Sequence, residues 1–444
     1  METLVILIFI AFLIVCLFSG LPVICALAAG FFLFFGYGIL TGHAPSKMAR
    51  AALSGVLKIR MILQIFVLIG LLTALWREAG TIPAITYYAS AFAKPGVMVL
   101  MCFLLNCLIS FLTGSSFASS ATMGVITMSM ARMAGISPLI AGGAILSGVY
   151  FGDRSSPVSS SALLIATVTG TDIFDNIREC MKTAVIPFVL SCIIYSILGL
   201  AIGTGVQTGS AAGIRELFAE EFRLGFLPLI PAILILIFAS FRVKMLYSMA
   251  ASVLAGFFIS IFYQGAPLMQ VLRDMVLGYR AVIPELSPMI SGGGLWSMLG
   301  PGIIVSLSSS YAGMFEETGL LQKLKSRIAA VAARTSPFFA TVLTSIVTTA
   351  VACNQTLAVV LTEQLCHELE PDTQRFAVDM ENSTAVIAAQ IPWNIACAVP
   401  LATVGAPSAA VLAACYLYLL PLVHLVRRQK EARVRGEVRK AVRN

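Results

Sequence analysis

The chain has 444 residues, 59% of them hydrophobic and 11% charged, with a mean hydropathy of +0.94. A soluble protein carries about a quarter of its residues charged to coat its surface, so this composition excludes a soluble enzyme, a disordered chain and a disulfide scaffold, and describes a polytopic membrane protein. Of the net charge of +8, most sits in the last eighteen residues, Arg427 to Asn444, with eight basic and two acidic side chains. A basic tail on an apolar body fits cytoplasmic retention and attraction to anionic lipid headgroups. No aromatic or glycine pattern accompanies it, so no nucleic-acid partner is expected.

A membrane-crossing helix needs about 20 largely apolar residues. Apolar runs lie near 4–19, 21–40, 61–76, 96–112, 185–205, 224–240, 246–263, 337–351 and 408–426. With the more polar segments between them they predict roughly ten to twelve transmembrane helices, an all-α membrane protein, because open strands leave backbone groups unsatisfied in lipid. Met1-Glu2-Thr3 turns apolar at once without a positive n-region, which predicts a first membrane helix and not a cleaved signal. Basic clusters at Lys47, Arg50, Lys58 and Arg60, at Arg242 and Lys244, and at Lys323, Lys325, Arg327 and Arg334 are expected in the cytoplasm, with both termini.

Residues 206–223 place Ile214, Leu217, Phe218 and Phe222 at helical spacing between Arg215, Glu216, Glu220 and Glu221, the pattern of an amphipathic interfacial helix. It divides the chain into a first membrane half (1–205), a connector (206–223), a second membrane half (224–426) and a basic tail (427–444). The ten cysteines are scattered without a C-x-x-C and read as small packing residues. Three histidines, His43, His367 and His424, with no H-E-x-x-H speak against a zinc enzyme; no cofactor is implied.

The informative residues are polar ones inside the apolar runs, since a charge at the bilayer centre costs about 2.5–3.5 kcal/mol on insertion scales. The first half breaks at Thr113-Gly114-Ser115-Ser116 and again at Asp153-Arg154-Ser155-Ser156-Pro157-Val158-Ser159. The second half breaks at Asn354-Gln355-Thr356 and at Glu381-Asn382-Ser383-Thr384, running on to Pro392-Trp393-Asn394. Paired interruptions of this kind point to a secondary transporter built from two inverted repeats with broken or re-entrant segments. Unwound carbonyls there suit a cation and half-helix N-termini an anion. Hydroxyls and amides add oxygen ligands without adding charge.

Several other segments carry plain structural readings. Gly170-Thr171-Asp172 predicts a helix N-cap. His367-Glu368-Leu369-Glu370-Pro371-Asp372 reads as a solvated acidic loop, and Ser291-Gly292-Gly293-Gly294 allows either close backbone packing or ion approach.

Ser147-Gly148-Val149-Tyr150-Phe151-Gly152-Asp153-Arg154-Ser155-Ser156-Pro157-Val158-Ser159, continuing to Gly170-Thr171-Asp172-Ile173-Phe174-Asp175-Asn176-Ile177, resembles the NhaC-type sodium/proton antiporter family, which carries a similar G-D-K-x-S-P-x-S-D block followed by G-T-D-x-x-D-x-I. Asn354-Gln355 through Leu361, Glu381-Asn382-Ser383-Thr384 and Ile391-Pro392-Trp393-Asn394 are similar to its D-Q-x-x-x-x-x-L, E-D-S-G-T and I-P-W-N blocks. Where the family has aspartate this chain has Asn354, Asn382 and Ser160, and Arg154 replaces a lysine.

The resemblance implies sodium/proton antiport across the cytoplasmic (inner) membrane, with Asp153, Glu381, Asn354 and Asn382 as cation- or proton-binding positions. A sodium site would draw on Asp153, Ser155, Asn354 and Glu381. Thr113, Ser115, Ser116, Arg154, Ser155, Ser156, Ser159, Gln355, Thr356, Ser383, Thr384, Trp393 and Asn394 would line the substrate path. The loss of three carboxylates leaves a second expectation open: a sodium-coupled or exchange transporter of a small organic anion or amino acid, with Arg154 as the anion's partner. The expected partners are sodium and protons or a small solute, membrane lipid, and a second copy in a homodimer. No nucleophile-and-base pair or metal cluster stands in the sequence, so an enzyme is not expected.

Overall fold

The computed structural model describes residues 23–89, 95–157, 159–203, 210–241, 245–319 and 335–443, with positions 4, 5, 8, 9, 11, 12, 15, 16, 243, 330 and 332. Arg242, Lys244, Lys323, Lys325, Arg327 and Arg334, on which the topology expectation partly rests, lie outside them. Among the described residues the chain is helical throughout, the one β-bridge joining Tyr279 to Gly292.

By length and composition alone, two described helices are able to cross a membrane unbroken, within Pro95–Thr113 and Ile173–Gly203. The pair Thr373–Gln390 and Ile395–Val404, bent by 54°, forms a third if it is one span. Other apolar helices, such as Pro337–Ala352 and Ser160–Thr169, are short because polar breaks interrupt them. The helix Ile173–Gly203 turns Val185, Ile186, Ile193, Ile197 and Leu200 outward, each about half exposed or more. An uncovered aliphatic stripe of that length is costly in water and costs nothing against lipid tails.

The largest buried cluster lies between Pro95–Thr113, Pro138–Ser155 and the start of Cys415–Arg443, and Tyr195 fastens it. Its hydroxyl lies 2.7 Å from the Ser147 hydroxyl, donates to the Ala413 carbonyl at 2.9 Å and accepts from the Cys415 N–H at 3.0 Å. Pro95–Thr113 and Pro138–Ser155 touch almost backbone to backbone at Gly152, where an added Cβ would come within 2.2 Å of the Phe111 nitrogen. Replacing Gly152 by alanine is therefore expected to push these helices apart and to lower stability by about 1–3 kcal/mol, read as a drop in thermal unfolding temperature in detergent. The Gly292–Gly294 stretch serves the same purpose, since a Cβ on Gly293 would meet the Ala74 and Thr73 backbone at under 3 Å.

The amphipathic segment forms the helix Ser210–Glu221 and is docked on the protein. Phe218 and Phe222 are buried with Met133, Tyr279, Leu286 and Ile290, and Glu221 accepts hydrogen bonds from the Tyr279 hydroxyl and the Val282 and Ile283 N–H groups at 2.5–2.9 Å. Asp172 caps the following helix through the N–H groups of Phe174 and Asp175, as its position predicts. The acidic loop is only partly solvated: Arg428 donates to Glu370 at 2.5 Å.

Candidate functional site

Helices break at four places that the sequence marks, and local chemistry explains each. At the first, Gly114 adopts φ +62° and Ser115 is extended (φ −145°, ψ 117°) before a new helix begins at Ser116. At the third, Cys353 adopts φ +54° and Asn354 is extended (φ −142°, ψ 128°) before the helix Gln355–Cys366. Cys353 is the one non-glycine residue with positive φ among the described residues, a conformation that costs an L-residue roughly 1–2 kcal/mol. The two remaining N-caps pair in the same way: Ser159 at φ −72°, ψ 133° and Asn394 at φ −75°, ψ 141°. Each half thus carries one left-handed-then-extended break followed by one simply extended break, and the second half is interrupted once more at Asn382–Ser383, between the helices Thr373–Glu381 and Thr384–Ile387.

All four N-caps use their own side chains. Ser115 accepts from the Ala118 N–H, Ser159 from Ser161 and Ala162, Asn354 from Thr356 and Leu357, and Asn394 from Ala396. A π-helical turn over Ser120–Gly124 follows the first break, an irregularity frequent at functional sites. The third and fourth breaks are tied directly, the Ile395 N–H donating to the Cys353 carbonyl at 3.0 Å. Trp393 Nε1 donates to the Ala350 carbonyl at 2.9 Å and Asn394 Nδ2 to the Thr349 carbonyl at 2.8 Å.

The breaks surround one cavity of about 300 Å³, lined by Ser115, Ser116 and Phe117 from the first, Asp153, Ser160, Ser161 and Leu164 from the second, Asn354, Gln355, Thr356 and Val359 from the third, and Ile395 and Ala396 from the fourth. The lining residues are largely first-turn residues of helices, so backbone N–H ends and positive dipole ends converge there. Asp153 is the one carboxylate in the lining. Its side chain is buried and accepts from the Ser159 hydroxyl at 3.0 Å, and Ser116 approaches it through both hydroxyl and backbone N–H. The carboxylate therefore joins the first break to the second.

Of the residues singled out in the sequence, Ser115, Ser116, Asp153, Ser160, Asn354, Gln355 and Thr356 face the cavity together. The others lie behind it. Thr113 donates to the Ile109 carbonyl and meets Ser119; Ser155 and Ser156 are fully buried. Ser383 and Thr384 meet the Ser345 hydroxyl at 3.3 and 2.8 Å.

Arg154 points away from the cavity and donates to the Tyr416 hydroxyl at 2.8 Å, the Cys180 carbonyl at 2.6 Å and the Thr183 hydroxyl at 3.3 Å. Glu381 is buried within electrostatic reach of Arg154 and Asp153, one carboxylate oxygen making no hydrogen bond. Asn382 accepts from Thr183 at 3.2 Å. Sequence reading missed Ser161 and Thr183. Ser161 belongs to a serine run whose facing members only the break geometry selects, and Thr183 carries no local signal inside an apolar helix.

The profile of the Na+/H+ antiporter family matches residues 148–426, which contain three of the four breaks. The chain belongs to the Na+/H+ antiporter family. It is similar to the Na(+)/H(+) antiporter NhaC of Alkalihalophilus pseudofirmus, 26% identical over 82% of this chain and 80% of that protein. It is also similar to the malate-2H(+)/Na(+)-lactate antiporter of Bacillus subtilis, at 21% over 85% and 82%, and to the arginine/ornithine antiporter ArcD of Halobacterium salinarum, at 28% over 81% and 76%. Members of this family are secondary transporters, and this chain is one of them.

Proposed function

We propose that this antiporter exchanges sodium for protons at the cavity where the four breaks meet, with Asp153 as the group both ions compete for. The observation that carries this reading is a single carboxylate in a cavity otherwise lined by neutral side chains, held by hydroxyls and a backbone N–H. A protonated or a sodium-bound Asp153 is neutral, and the bare carboxylate is a buried charge in a site with low dielectric. The neutral states are the ones favoured during the change of access, so one ion leaves as the other arrives. In this reading the hydroxyls of Ser116, Ser160 and Ser161, which line the same cavity, supply neutral oxygens to the shell. The matching break geometries support an inverted-repeat architecture, and the basic composition of the tail supports cytoplasmic termini in the inner membrane.

One carboxylate exchanges one proton for one sodium ion, so transport is expected to be electroneutral. Sodium-driven pH change in proteoliposomes should be unaffected by a potassium-diffusion potential set with valinomycin. Asn354→Asp keeps the N-cap, which aspartate makes equally well, and adds a second carboxylate to the cavity. That variant should respond to the potential. A wild-type rate that follows the potential would overturn the one-carboxylate scheme.

A cargo that is a small organic acid or amino acid is the second reading. A cavity of about 300 Å³ is larger than a bare cation requires, and at the lower end of ligand-site volumes; the helix N-termini around it favour a carboxylate. Counterflow of labelled amino acids and of dicarboxylates, measured beside the sodium-driven pH change, separates the two. Sodium-specific alkalinisation without organic counterflow supports the first reading, and the reverse supports the second.

A further inference from the structure

The helix Ile395–Val404 carries a buried proline, Pro400, in its interior. Proline has no N–H to give, so the carbonyl four residues earlier, that of Ala396, loses its helical donor. A buried carbonyl left without a donor is costly. Here another helix supplies one: the Tyr150 hydroxyl, on a residue 1% exposed, donates to the Ala396 carbonyl at 2.7 Å.

Both ends of this bond belong to the cavity. Ala396 lines it, on the first turn after the fourth break, beside Ile395, whose N–H is tied to the Cys353 carbonyl. Tyr150 stands on Pro138–Ser155 three residues before Asp153, so the two side chains share a helix face one turn apart. Ser116, which approaches the Asp153 carboxylate, approaches the Tyr150 hydroxyl as well. One hydroxyl thus reaches the first and fourth breaks from the helix that holds the carboxylate at the second. Another face of that helix is pressed against Pro95–Thr113 at Gly148 and Gly152, where an added Cβ would meet backbone atoms at 2.5 and 2.2 Å. Tyr150 is its polar restraint toward Ile395–Val404.

We propose that Tyr150 is a positioning residue for cation binding: by holding the carbonyl that Pro400 frees, it sets the distance between Asp153 and the Ile395–Ala396 wall, and so the size of cation the cavity prefers. The proposal rests on the reading of Asp153 as the carboxylate that binds the exchanged cation. Tyr150 keeps its proton and touches no cargo. A supporting residue of this kind acts on affinity and selectivity, because a site works only while its ligands are held to within about 0.5 Å.

The test compares sodium-, lithium- and potassium-driven pH change in proteoliposomes. Tyr150→Phe keeps the ring and removes the hydroxyl. It should raise the sodium KM about tenfold, narrow the preference for sodium over potassium, and change the maximal rate much less. It also strands the Ala396 carbonyl, so the unfolding temperature in detergent should fall. Pro400→Ala, added to Tyr150→Phe, gives that carbonyl a helical N–H again. The double variant should recover the unfolding temperature yet keep the raised KM, because the bond between the two helices is still absent. Full recovery of the KM in the double variant would make Tyr150 a structural donor and overturn the proposal. So would a wild-type KM and ion preference in Tyr150→Phe, or a fall in its maximal rate alone. Asp153→Asn, run in parallel, separates the two readings. Exchange at the wild-type rate there removes the cation site and this proposal with it, whereas an inactive Asp153→Asn beside an unaltered Tyr150→Phe overturns only the role of Tyr150.

Discussion

Asp153→Asn is expected to reduce sodium-driven proton movement by at least about a hundredfold, to the level of empty liposomes, with no loss of thermal stability. Asparagine has nearly the same shape and still accepts from the Ser159 hydroxyl, which lies 3.0 Å from Asp153 Oδ1. What it loses is the ability to change charge. Because the side chain is buried and the cavity contains no other carboxylate, no neighbour in the lining can take over the exchanged proton. Removing a buried charge also removes its desolvation cost, so the variant should unfold at or above the wild-type temperature. Internal pH reported by a trapped dye, with unfolding followed in detergent, reads both quantities. A variant that exchanges at the wild-type rate would eliminate Asp153 as the coupling group, and loss of activity together with a sharp drop in stability would make its role structural.

Arg154→Gln is expected to fail differently, through stability. The guanidinium is 1% exposed and holds the helices Pro138–Ser155, Ile173–Gly203 and Cys415–Arg443 together through Tyr416, Cys180 and Thr183. It is also the positive charge facing Glu381. Taking away one partner of a buried charge pair costs about 3–5 kcal/mol, because the other is left uncompensated. Sodium exchange and any organic counterflow should therefore fall together, with a lower unfolding temperature. Arg154→Lys should recover little, since a point charge on a flexible stem does not reproduce three divergent donors. A stable Arg154→Gln protein that binds sodium and has lost only organic counterflow would instead make Arg154 a cargo ligand, the role the sequence alone suggested for it.

The breaks were legible because their causes are local. A glycine before serine, a serine run around proline, and an asparagine at the head of an apolar stretch each stop one helix and cap the next, and no distant residue is needed to do so. Cys353 is the exception. Its left-handed backbone has no sequence signal, since cysteine in an apolar run reads as packing, and it emerges only from the match with Gly114. The Gly292–Gly294 stretch shows the same limit: its composition admits ion approach as readily as close packing, and only the Thr73 and Ala74 backbone lying against it decides.

The sequence by itself determined that this is a helical membrane transporter of the Na+/H+ antiporter family, where its helices break, and that Asp153 and Glu381 are the acids retained beside those breaks. These follow from composition, from short-range capping chemistry and from blocks of adjacent residues, all of which are readable along the chain. Only the tertiary structure decided which polar residues share a space. It placed Asp153 with Asn354, Gln355 and Thr356 across some two hundred residues of chain, turned the neighbouring Arg154 the other way, left Glu381 behind the cavity wall, and brought His424 against Asp379. Consecutive helical residues point about 100° apart, so neighbours such as Asp153 and Arg154 face different surroundings. What each one meets is set by the packing of helices far away in sequence.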